Sequence, residues 1–108
     1  MSEIKLVVIY PTPTDVDEFE RLYTDEHLPF AGERLFGQTK AMVTTMVGTP
    51  DGSEPPFYKM FEAYFPSKDD FDKWATSSGA QDTVQHAVDI STATGTKPII
   101  MVATEVIP

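Results

Sequence analysis

The chain carries two histidines, and these are the side chains best suited to moving protons near neutral pH. His27 stands out by its setting. Val16, Phe19, Tyr23 and His27 recur at spacings of three and four, so a helix over this stretch puts all of them on one face. A titratable ring at the end of an otherwise apolar stripe is a candidate general acid or base. The competing reading makes His27 a helix cap that bonds terminal carbonyls and organises the turn into Pro29. Tyr23, one turn earlier, would orient the imidazole or bind a polar substrate atom; as a core aromatic it would need only a partner for its hydroxyl. Glu62 is an acidic residue in an aromatic strand. If its face looks at the helices it needs a partner such as His27 or Tyr23 and becomes an acid–base candidate. Otherwise it belongs to an ion pair at the sheet edge or at an interface. His86 has Asp82 four residues before it and reads as half of a solvated pair. The two histidines lie far apart with no carboxylate at ligand spacing, and no phosphate-binding glycine loop follows a strand. No metal or cofactor is therefore expected.

The elements that must hold these residues follow in order. Residues 4–10 form an apolar strand that leaves through Pro11 and Pro13. A helix follows, capped by Thr14 with Asp17 or by Asp15 with Glu18. Its acidic first turn suits the helix dipole, and Arg21 can pair with Asp17 and Asp25. Pro29 disfavours helical geometry at Leu28, so the helix is expected to stop near His27. Residues 32–38, with Arg34, read as a polar connection. Residues 39–47 alternate as a second strand, and residues 49–56 are turn-forming. Residues 57–65 form the third strand, where Glu62 shares a face with Tyr58, Met60 and Tyr64. Ser67 and Asp70 cap a helix with Phe71, Trp74 and Ala75 inward. After an interruption at residues 77–79, a last helix over 80–91 places Val84, Ala87, Val88 and Ser91 on one side. Residues 98–107 form the last strand.

The order βαββαβ predicts an α+β, ferredoxin-like domain spanning 1–108: a four-stranded antiparallel sheet with helices on one face. The first, third and last strands are apolar on both faces, and no further element is available to cover the second face. Soluble monomers do not expose such areas, so a homodimer packed sheet against sheet is expected. The 108 residues carry a formal charge of −9 and no cysteine. That composition argues against nucleic-acid and anionic-membrane partners and against disulfide or thiolate chemistry. No run is long enough to span a bilayer and MSEIKLVVIY lacks a basic leader, so a cytoplasmic protein is expected.

The first strand, its proline exit, the series Asp15, Phe19, Glu20, Tyr23 and then His27-Leu28-Pro29-Phe30-Ala31 resemble the EthD family of the dimeric α+β barrel superfamily. That family usually writes the last part H-x-P-L-A, and Phe30 stands at the leucine. The resemblance implies a dimer whose two sheets form a barrel, with a small-molecule cavity between each sheet and its helices. Relatives in the wider group resemble isomerases of muconolactones and dehydratases or decarboxylases of polyketides. The expected function is a cofactor-independent enzyme for a small apolar cyclic or carbonyl compound, working by proton-transfer isomerisation, elimination or decarboxylation. His27 would move the proton, Tyr23 and Glu62 would position the substrate or the imidazole, and Phe19, Met60, Tyr64 and Trp74 would line the pocket. The alternatives are a non-catalytic small-molecule binder or pathway accessory, and a haem-binding or monooxygenase-type barrel using a helical histidine such as His86.

Overall fold

The structure is a computed structural model that describes residues 3–105. Strands β1 (Ile4–Pro11), β2 (Lys40–Thr45), β3 (Phe57–Phe65) and β4 (Ile99–Thr104) form one antiparallel sheet in the order β2-β3-β1-β4. Between β1 and β2 lie helix α1 (Val16–Leu22), a π-helical turn (Tyr23–His27) and helix α2 (Leu28–Arg34). Helices α3 (Lys68–Ala75) and α4 (Ser78–Thr94) lie between β3 and β4. This is the expected α+β, ferredoxin-like arrangement. Thr39 N–H donates to Tyr64 O and Met46 N–H to Tyr58 O, extending the pairing of β2 by one residue at each end. The expected last strand also included Val106 and Ile107, which lie outside the described residues.

Asp15 supplies the cap of α1, accepting from Glu18 N–H at 3.1 Å. Thr14 instead donates to Gly95 O. Gly95 ends α4 in the left-handed region (φ +80°), where a Cβ would also strike the Thr14 side chain at 2.3 Å. A glycine is therefore needed on both counts where the end of α4 meets the start of α1. Arg21 pairs with Glu18 and Glu26 rather than with Asp17 and Asp25.

The helix does not stop at His27. Residues 23–27 widen into a π turn in which Leu28 N–H reaches back to Tyr23 O, five residues away. Pro29 then falls in the first turn of α2, where a missing N–H costs nothing. Helix resumes through Arg34, so Gly32, Glu33 and Arg34 are helical and not part of a connection.

Leu6, Val8 and Tyr10 of β1 and Phe61, Ala63 and Phe65 of β3 face the helices. Phe19 and Tyr23 stack face to face on Tyr10, which meets both edge-on at 5.2 and 5.4 Å between ring centroids. Each such buried aromatic contributes about 1.5–3 kcal/mol through area alone. Trp74 packs on Phe65 and donates its indole N–H to Arg34 O. The buried side of α4 is Ala80, Ala87, Ile90, Ser91 and Thr94. Of the residues expected to share one side of this helix, Ala87 and Ser91 are buried while Val84 and Val88 are exposed. Helix α4 packs on the other helices, and its Ala80 and Ile90 belong to the same core cluster as Leu6 and Val8 of β1. A gap is left between it and the sheet.

Candidate active site

That gap is a cavity of about 420 Å³, within the size range of small-molecule sites. Its floor is Leu6, Val8 and Tyr10 of β1 with Phe61, Ile100 and Val102. Its roof is the side of α4 from Ala80 to Ala87, and α2 and α3 close the ends through Leu28, Ala31, Phe71 and Trp74. It opens between α4 and the edge strand β4, where Gln81, Gln85 and Val102 (55% exposed) are reached by solvent. No Lys, Arg, Asp or Glu lines it among the described residues. Its polar groups are His27, Tyr10, Gln81, Thr83 and Gln85.

His27 is 5% exposed and lines this cavity. Its ring lies parallel to that of His86 at 5.1 Å, and the two Nδ1 atoms are 2.8 Å apart. At that distance one Nδ1 must carry a proton and the other must not. Burial, with the neighbouring His86 imidazole adding to it, pushes His27 down from its ordinary 6.5 to about 4. The ring is therefore neutral at physiological pH. Among the described residues, Nε2 of His27 has no hydrogen-bond partner. It is also absent from the sealed, unpartnered polar atoms, which are the Tyr23 and Ser91 hydroxyls. Nε2 is thus not sealed, in a residue that lines the cavity.

His86 is not the solvated partner of Asp82. Its ring is half-buried, stacked on Phe30 at 4.5 Å, and the Arg34 guanidinium covers Phe30 in turn at 3.5 Å. The residue was visible in the sequence, but its role depends on α4 crossing the π turn. The inward spacing of Ala80, Ala87, Ile90 and Thr94 is the one local signal of which side of α4 is covered.

The other expected site residues separate. Trp74 lines the cavity. Tyr23 sits beside His27 at 5.4 Å, but its hydroxyl is sealed in the core with no partner, and burial raises its pKa. Phe19 is fully buried in the same aromatic cluster and does not reach the cavity. Glu62, Met60 and Tyr64 lie on the opposite face of the sheet. Glu62 opposes Val7 in the register and bonds Lys5 Nζ at 2.6 Å, while Tyr64 lies against Lys5 and Lys40. Strand alternation grouped Tyr58 with them, but a bulge opposite Tyr10 and Pro11 breaks the parity. Tyr58 consequently turns to the helices and, with the buried Lys59, bonds Glu20. No group of three or more His, Cys, Asp or Glu side chains able to hold a metal occurs among the described residues.

A two-layer βαββαβ domain with a hollow between its layers defines the ferredoxin-like α+β class. Within that class the chain has the fold of EthD-family proteins. It superposes on an EthD-family protein of Bacillus halodurans C-125 with a TM-score of 0.84 at 24% identity, covering 98% of this chain and 100% of that one. It also matches a hydroxynitrile lyase of Passiflora edulis (TM-score 0.68, 14% identity, 98% and 97% covered). A third match is SnoaB, a cofactor-independent oxygenase of Streptomyces nogalater (TM-score 0.64, 15% identity, 100% and 97% covered). Further matches are described as dimeric ferredoxin-like proteins of unknown function. No family model and no curated protein sequence matches the chain. No helix among the described residues is long and apolar enough to cross a membrane.

Proposed function

We propose that the protein is a cofactor-independent enzyme that moves a proton on a small, neutral, carbonyl-bearing apolar compound. The observation that carries this reading is a neutral imidazole lining a cavity with otherwise mostly apolar walls, its Nε2 without a partner among the described residues. A neutral imidazole lone pair within reach of a bound carbon acid is what a general base requires. The Tyr10 hydroxyl, kept protonated by burial, and the carboxamide of Gln81 are available to hold a carbonyl oxygen, while Gln85 donates to Asp89. A carboxylate substrate would lose its hydration without meeting a cationic side chain on these walls, so neutral compounds are favoured. That the same fold serves a lyase and a cofactor-independent oxygenase supports an enzyme role without choosing the reaction.

The same reading has two copies packed sheet to sheet. Met42 (47% exposed), Ile99 and Met101 (42% exposed) lie with Val7, Ile9 and Met60 on the face without helices. The subunit is only 17 Å thick, as expected for one sheet and one helical layer. The dimeric ferredoxin-like matches support this arrangement.

The test is conversion of a β,γ-unsaturated cyclohexenone to its conjugated isomer, followed by ultraviolet absorbance. His27→Ala is expected to lower the rate by roughly 10²–10⁴-fold, the usual scale of general acid–base catalysis. Equal rates for the two proteins would remove His27 from the chemistry.

A further inference from the structure

We infer that His27 and His86 act as one unit, a two-imidazole relay that carries charge from the buried cavity to the half-exposed face of α4. The inference rests on the base role proposed for His27. If Nε2 of His27 is to accept a proton, the mobile proton of that ring must sit on Nδ1. Among the described residues the one partner for Nδ1 is His86 Nδ1 at 2.8 Å, so His86 is fixed as the acceptor.

The step balances as follows. The substrate C–H bond breaks, its electron pair stays on the substrate as an enolate, and the proton forms a new Nε2–H on His27. The Nδ1 proton of His27 passes to His86 Nδ1. His86 then holds two protons and releases the one on Nε2 to water. His27 is left neutral in its other tautomer, with Nε2–H ready to protonate a different carbon of the enolate. The return step runs the relay backwards, with His86 regaining a proton from water. Net transfer is zero, as an isomerisation requires.

The surroundings suit this direction of transfer. Positive charge confined to His27 would sit in an apolar hollow at 5% exposure. On His86 it is half-exposed, on a helix that carries Asp82 and Asp89 one turn to either side. Phe30 stacks on the His86 ring and stands between it and the Arg34 guanidinium, so that cation does not touch the imidazole. Tyr23, packed against His27, is neutral.

Two measurements test the relay. Long-range proton–nitrogen NMR on the histidine-labelled protein reads the tautomers without any substrate. The relay requires His27 as the Nδ1–H tautomer and His86 as the Nε2–H tautomer at rest; the reverse assignment overturns it. The second uses the cyclohexenone assay with His86→Gln and His86→Phe. The Gln side-chain oxygen can still accept from His27 Nδ1–H and keep its orientation, but it cannot take the proton. The relay predicts that both variants are slowed alike, by at least roughly tenfold. Recovery of the wild-type rate in His86→Gln would reduce His86 to a positioning residue and overturn the relay. If the wild type does not turn over the ketone, the proposed reaction fails, while the NMR assignment still decides the direction of the bond.

Discussion

The two faces of the sheet are made from alternate residues of the same strands, and the ion pairs of the open face contrast with the cavity histidine held over the other. On the open face, Glu62 is met by Lys5 and Lys5 also by Glu105, so charge is answered by charge. The two contacts raise the pKa of Lys5 and lower that of Glu105. On the helix-covered side Lys59 also meets Glu20, but at the cavity His27 is met by the ring of His86, and burial suppresses its charge. The first solution fixes two partners in their ionised forms and suits a surface that must dock in one register. The second leaves one nitrogen uncommitted in an apolar hollow and suits chemistry. Ionisable residues therefore point to function here through their lack of a fixed partner.

The largest effect expected from this contrast concerns the open face. Met101→Asp places a charge amid the surface proposed to be covered, and light scattering after gel filtration is expected to show a monomer where the wild type is a dimer. A monomeric wild type would mean that this face is left bare in solution. The next effect belongs to the covered face. His27 binds a proton in the unfolded chain near pH 6.5 but in the folded chain only near 4. The unfolded state thus holds more protons between those values, and stability falls as pH drops from 6.5 to 4 and is unaffected above. Wild type is expected to lose about 3 kcal/mol relative to His27→Gln across that window, by urea unfolding at each pH. Parallel curves would show that the ring is not desolvated. On the open face, Glu62→Ala leaves Lys5 without its better-buried partner, and a loss of about 2 kcal/mol is expected in the same urea measurement. Tyr23→Phe should do least. It removes a hydroxyl that has no partner, so stability should hold or rise by less than about 1 kcal/mol. A clear loss would reveal a bond to that hydroxyl.

Much of this contrast was legible in the residues. Alternation in β1, β3 and β4 marked a sheet apolar on both sides, and the order of elements left one side without helices. The stripe from Phe19 to His27 marked the covered side of the first helix. Three features were hidden for identifiable reasons. Pro29 reads as a stop because local sterics favour one, yet the π turn removes the conflict by changing the bonding pattern before it. Glu62 was assigned to the correct strand face, but alternation cannot say which face the helices cover. The bulge at Tyr58 also reverses the one neighbour whose contact with Glu20 would have told. The pairing of His27 with His86 joins residues 59 apart in the chain and depends on how α4 crosses the π turn, which no local spacing encodes.

The wide turn between Tyr23 and His27 is equivalent to one residue slipped into an ordinary helix. Such a slip leaves everything before it undisturbed and rotates everything after it by about 100°. Phe19 and Tyr23 can therefore stay locked in their aromatic cluster while His27, Leu28 and Ala31 are swung together towards the hollow. Gain or loss of a single codon in this segment would be enough to steer the imidazole, with the anchoring half of the helix left in place.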